Sequence, residues 1–264
     1  MLKKLLKYDL SWNVKVIFIF LSLGIVFTIL GTLIDLIPNS LFFTVIAGIC
    51  KGFSVAMFAN ALFNVLFRSW ARNVTNLYKD ESYLTHTLPI NKTTILGSKV
   101  LSQIILIVVT ATLLVLAIFI MYIDKETFEY LKTLIQFTSE SLNTSVFWLL
   151  MSFLLLVLIE VIFIAFCGNF GIVYGNRYNN NKMLMIVIFG AVAYFIENVI
   201  LIVIFLLMSL VNEDMYNIIF NQSQIINYGF LMTVAYICMI VYTVSSIGLY
   251  LLTNKIFNKG VNVD

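Results

Sequence analysis

Apolar residues in this chain gather into six long blocks separated by short polar stretches, instead of recurring in the narrow stripes of a soluble amphipathic helix. The blocks run from about Val14 to Leu36, Leu41 to Phe67, Ile95 to Ile123, Val146 to Val173, Met183 to Val211 and Gly229 to Thr253. Each is long enough to cross roughly 30 Å of hydrocarbon at about 1.5 Å per helical residue. Backbone polar groups in lipid must pair within their own segment, and runs this long and uniform do not suit barrel strands. The pattern therefore predicts an all-α membrane protein with six transmembrane helices.

The segments between the blocks add three expectations. Ahead of the first span, Leu2, Leu5, Leu6 and Leu10 share one helical face and Lys3, Lys4, Lys7 and Ser11 the other, which predicts an N-terminal interfacial helix. No small-x-small cleavage site follows the first apolar run, so that run is expected to stay attached as a span. After the second span, Arg68 to Thr94 forms a long charged loop in which Trp70, Val74, Leu77 and Tyr78 mark one face of a short helix. Before the last span, Met215, Tyr216, Ile218, Ile219 and Phe220 are too apolar for a solvated loop, so the stretch from Asn212 to Tyr228 reads as a re-entrant-like segment.

Composition agrees with the pattern: 61% of the 264 residues are hydrophobic and 11% charged, against roughly 25% charged in a soluble domain. The net charge of +3 does not indicate nucleic acid, because the basic residues sit at span ends. With the N-terminus inside, only Lys125 and Lys132 of the 16 basic residues fall outside, Lys51 lies within a span, and the rest are inside. That bias predicts a multi-pass protein of the cell membrane with both termini cytoplasmic.

Candidate chemistry is sparse. No G-x-x-x-x-G-K-[ST] loop occurs, and Gly97-Ser98-Lys99 lacks both the preceding glycine and the terminal hydroxyl residue, so no ATP hydrolysis is expected on this chain. His86 is the lone histidine, which leaves histidine metal sites and catalytic triads without support; no catalytic, cofactor-binding or metal residue is assigned. Cys50, Cys167 and Cys238 lie in apolar runs and read as packing residues. Three intramembrane polar residues stand out: Lys51 in the second span, Glu160 in the fourth and Glu197 in the fifth. Each is placed on the order of 15 Å from the span ends, too deep for easy snorkelling, and is expected to face the protein interior. They fit either a translocation path or structural glue, such as an interhelical Lys-Glu bridge or a protonated Glu bonded to a neighbour.

The passage Asp80-Glu81-Ser82-Tyr83-Leu84-Thr85-His86-Thr87-Leu88-Pro89, followed by Lys92, resembles the stretch between spans two and three of bacterial ABC transporter permeases of the type-2 (ABC-2) exporter family. That family has an acidic pair, a Tyr-Leu-Thr-x-Thr-Leu-Pro run and a following Lys there; Ser82 departs from the glycine expected. The resemblance implies that residues 1–264 form a single transmembrane permease domain, pairing with a second permease as homodimer or heterodimer. It further implies an ATP-binding cassette ATPase subunit as partner, with ATP and Mg on that partner, and export of an antimicrobial peptide, a lipid-like molecule or a drug. The loop would then be a cytoplasmic coupling helix, with Trp70, Val74, Leu77, Tyr78, Tyr83, Leu84, His86, Leu88 and Pro89 as the residues coupling to the ATPase. The alternative, from a different class, is a non-transport membrane subunit such as a bacteriocin-immunity or assembly protein. A secondary carrier would call for broken helices and inverted symmetry, and neither is evident.

Overall fold

The computed structural model describes residues 1–37, 41–122, 146–211 and 228–260, with isolated positions 129, 132, 133, 136, 216 and 217. Regular structure among them is entirely α-helical: α1 (Leu2–Asp35), α2 (Leu41–Tyr78), α3 (Ser82–Thr87), α4 (Lys92–Tyr122), α5 (Val146–Gly175), α6 (Lys182–Ser209) and α7 (Tyr228–Asn258). Six of these, all but α3, are long and apolar enough to cross a membrane. The six blocks read from the sequence are these six helices. The re-entrant-like segment expected over Asn212 to Tyr228 lies outside the described residues, apart from isolated positions.

The helices form two compact units, one within residues 1–130 and the other within residues 131–260. In the first, α1 and α2 run side by side and both pack on α4. Phe58 of α2 and Ala117 and Met121 of α4 form its apolar centre, joined by Leu21, Val55 and Leu113. Close approach depends on Gly24 of α1: a Cβ there would lie 2.9 Å from the Phe58 ring. One turn on, Thr28 hydrogen-bonds Ser54 at 2.7 Å, and the Ser54 hydroxyl also donates to the Gly24 carbonyl at 3.0 Å. The outward faces carry Phe18, Phe63 and Phe67. Large apolar side chains outside and small or polar ones inside are the arrangement expected where the solvent is lipid and helix contacts rest on close packing and hydrogen bonds.

The second unit packs α5 against α6 and α7. Phe163, Cys167, Leu201 and Tyr242 form its buried centre, with Tyr194 and Cys238 at the margin. Gly171 and Gly175 of α5 let α6 come within backbone contact: an added Cβ would meet the Ile186 carbonyl oxygen and the Ile186 nitrogen, each at 2.5 Å. This is a small-xxx-small contact in which any larger side chain would wedge the helices apart. The three cysteines are free, and Cys167 serves as a buried packing residue.

Two local expectations are corrected. The N-terminal stretch is not a separate interfacial helix but the first turns of α1, which runs unbroken for 34 residues because no proline or glycine interrupts it before Gly24. Likewise Ser69 to Tyr78 is not a short helix in a loop: it completes α2, which spans 38 residues. At about 1.5 Å per residue α2 is about 57 Å long, so several turns extend past a hydrocarbon core of roughly 30 Å. Hydropathy marks where such a helix leaves lipid, not where it ends.

Candidate functional site

The family-like passage begins where α2 stops. Lys79 to Glu81 reverse the chain, and Ser82–Thr87 form the six-residue helix α3. Glu81 fixes the corner by accepting hydrogen bonds from Arg72 Nη1 at 2.6 Å and Asn76 Nδ2 at 2.9 Å, both on α2. The Asn76 amide foremost, and then the Arg72 guanidinium, hold the Glu81 carboxyl below the usual carboxylate range. His86 returns from α3 to the Leu77 carbonyl oxygen at 3.0 Å. A carbonyl can only accept, so in this contact His86 Nε2 carries the proton. A helix of six residues has too few internal hydrogen bonds to stand alone, and these tethers to α2 make it a rigid extension of the second span.

The residues grouped from the sequence as coupling residues divide here into two sets. Val74, Leu77 and Tyr78 are buried within the unit and Trp70 is half-buried, its ring edge-on to Phe67 at 5.7 Å. They therefore support the corner from inside the unit. Tyr83 and Leu84, by contrast, are 76% and 68% exposed, and Leu88 and Pro89 are exposed just beyond them. Ser82 and Thr85 are buried, which turns that apolar pair outward. His86 is half-buried against α2.

Behind α3 lies a polar constellation that the sequence reading did not pick out. Asp9 of α1 accepts from Lys99 Nζ of α4 at 3.3 Å and from the Ser98 hydroxyl at 3.2 Å. The Lys99 side chain is 2% exposed, so this is a buried ion pair clamping α1 to α4. Beside it, Trp12 of α1 lies under two guanidiniums from α2, Arg68 at 4.4 Å from the ring centroid and Arg72 at 5.2 Å. Such stacking supplies both apolar contact and electrostatic attraction. The available signal was the i, i+4 progression Asp9, Asn13, Ile17 down α1, since each of the three is buried.

The intramembrane polar residues lie in different units. Lys51 pairs with Asp35 of α1 at 2.6 Å, its stem lying along Gly31, so the partner is not one of the glutamates singled out with it. Asp35 lies at the tail of the first block and at the end of α1. In the second unit Glu160 of α5 accepts from the Tyr194 hydroxyl of α6 at 3.5 Å. Glu197 of α6 is 3% exposed, faces Ser245 of α7, and has one carboxyl oxygen with no hydrogen-bond partner among the described residues.

No protein-family model, curated protein or solved structure matches this chain.

Proposed function

We propose that this chain is the permease subunit of an ATP-driven exporter of the ABC-2 type, and that α3 is the element through which a separate ATPase moves the membrane helices. The observation that carries the reading is the exposed apolar tip of α3, Tyr83 and Leu84, on a helix locked to the end of α2 by Glu81 and His86. Exposed aromatic and aliphatic side chains held on a rigid mount are suited to filling a cleft on a partner. A push on that tip would be transmitted along the second span instead of being absorbed in a loose loop. The Tyr83 to Pro89 motif, with the acidic pair before it and Lys92 after it, supports the same reading.

In this proposal the α3 end faces the cytoplasm, in the bacterial cell membrane, and the chain works with a second permease. ATP and Mg bind the partner ATPase. A peptide, lipid-like molecule or drug is the cargo class. The half-buried Glu160 and the buried Glu197 would then lie in a unit that meets a cargo or a second permease.

Co-expression of the chain with the products of its neighbouring genes, among which the proposal expects an ATP-binding cassette subunit, tests the proposal. Tyr83→Ala combined with Leu84→Ala is expected to leave the chain monodisperse in detergent while reducing ATPase co-purification at least ten-fold, since truncating a docking anchor costs about 1 to 4 kcal/mol of association. Undiminished co-purification would remove α3 from the interface, and failure of the wild type to retain an ATPase would favour the non-transport reading.

A further inference from the structure

Glu197 lies near the middle of α6, about 18 Å from the nearer end of the helix at a rise of about 1.5 Å per residue. One turn to either side on the same face, Tyr194 and Leu201 belong to the apolar centre that Phe163, Cys167 and Tyr242 complete. Glu197 therefore points into the packing of α6 against α5 and α7, and it is as buried as the apolar residues around it.

Nothing that surrounds this carboxyl compensates a negative charge. The titratable groups near it are Cys167 of α5 and Tyr242 of α7, and Tyr242 also stands within electrostatic reach of Glu160 of α5, Cys238 of α7 and Tyr194 of α6. None of these is a cation. The basic residues of the three helices and the α5–α6 turn stand at helix ends: Arg177 follows α5, Lys182 opens α6 and Lys255 lies in the last turn of α7. No ion pair reaches Glu197 among the described residues. Ser245 is its hydrogen-bonding neighbour, and one carboxyl oxygen has no partner among the described residues. An ionised carboxylate so placed is an uncompensated charge away from water, far costlier than the same group carrying a proton. A resident metal cation would need several oxygens around it, whereas no three carboxylate, cysteine or histidine side chains gather among the described residues. A proton needs only the carboxyl itself.

We infer that Glu197 is a proton-binding site built into the second unit, holding its proton as a neutral acid while α6 is packed on α5 and α7 and giving it up when water enters between them. In that step the carboxyl O–H bond breaks, its electron pair stays on the oxygen, and water becomes hydronium; closure reverses it. The carboxylate left behind opposes repacking, so proton uptake and closure of the three helices are one linked event. Glu160, half-buried and accepting from the Tyr194 hydroxyl at 3.5 Å, is the contrasting carboxyl in the same unit. This site requires no ATPase partner, so it stands or falls separately from the proposed function.

Infrared spectra of the full chain in lipid nanodiscs at neutral pH, with unlabelled and isotopically labelled glutamate, test it. The wild type is expected to show a carboxylic-acid carbonyl band that shifts on labelling, persists in Glu160→Gln and is lost in Glu197→Gln. Glutamine has the shape and the neutrality of the protonated acid. Glu197→Gln is therefore expected to keep the wild-type thermal midpoint at neutral pH and to fall less than the wild type as the pH is made alkaline. The labelling experiment uses the wild type, so its outcome does not depend on whether a variant folds. Absence of a protonated-glutamate band from the wild type, or a band that survives Glu197→Gln, would overturn the inference. A Glu197→Gln protein that is destabilised at neutral pH and follows the same pH dependence as the wild type would do so as well.

Discussion

At the residue scale, the strongest constraint in the first unit is the Asp9–Lys99 pair, buried between α1 and α4. Removing one member of a buried pair strands the other charge, whereas replacing both with apolar residues removes the desolvation cost together with the attraction. Asp9→Asn is therefore expected to cost about 3 to 5 kcal/mol, seen as a marked fall in the thermal midpoint, and Asp9→Leu with Lys99→Met is expected to recover most of it. A double variant no more stable than the worse single one would show that the pair is not the clamp. Glu81 acts in a different regime because it is partly exposed. Its carboxyl pKa is depressed in the folded protein, so its contribution to the α2–α3 corner is complete above the unfolded carboxylate value and is lost as pH falls through the lower folded value. Protection of the α3 amides, measured as exchange relative to the intrinsic rate at the same pH, is accordingly expected to fall on acidification into that range, and Glu81→Gln is expected to show the low protection already at neutral pH. Lys51 was legible as a buried charge in need of a carboxylate, but its partner was not. Asp35 lies 16 positions back in sequence and adjoins Lys51 only because the chain reverses between α1 and α2.

At the scale of elements, the six long helices were legible, because in lipid the requirement for internal backbone pairing leaves helix as the only outcome of such runs; α1 nevertheless begins at Leu2, not Val14, and α2 ends at Tyr78, not Phe67. What hydropathy could not supply was the continuation of α1 and α2 beyond the bilayer. Polar turns such as Ser69 to Tyr78 read as loop when lipid is the yardstick, yet Val74, Leu77 and Tyr78 form a buried face that keeps the helix going. The run from Asp80 to Pro89 stood out in the sequence, while the burial of Ser82 and Thr85 and the exposure of Tyr83 and Leu84 came only with the packing. The α5–α6 contact was also written in the sequence, as Gly171-x-x-x-Gly175, although glycines in an apolar run stand out less than charges. Gly171→Ala already brings a Cβ to 2.5 Å from backbone atoms of α6, so it is expected to destabilise the second unit by about 1 to 3 kcal/mol. Gly248→Ala, where nothing lies within 4 Å, is expected to be neutral in the same thermal assay. Equal tolerance of the two would mean that α5 and α6 do not approach as closely as described.

On the scale of the whole molecule, the chain places three long apolar helices and the α2–α3 corner in one compact unit, and three long apolar helices with the half-buried Glu160 and the buried Glu197 in the other. The proposed orientation rests on the basic-residue bias. Cysteines introduced at Lys79 and Asn181 are expected to react with an impermeant reagent only after permeabilisation, and those at Lys125 and Asp214 in intact cells; the reverse pattern would place α3 outside and remove any role for it with a cytoplasmic ATPase. The most direct test of the central proposal is a photo-reactive side chain at Leu84, carried by the full chain in its native membrane, with one at Val187 on the exposed face of α6 as control. The expected result is a cross-link from position 84, absent from position 187, to a single polypeptide that carries a phosphate-binding loop. A cross-link from position 84 only to lipid, or to a protein with no nucleotide-binding sequence, would contradict the assignment of α3 as the element that receives the ATPase stroke.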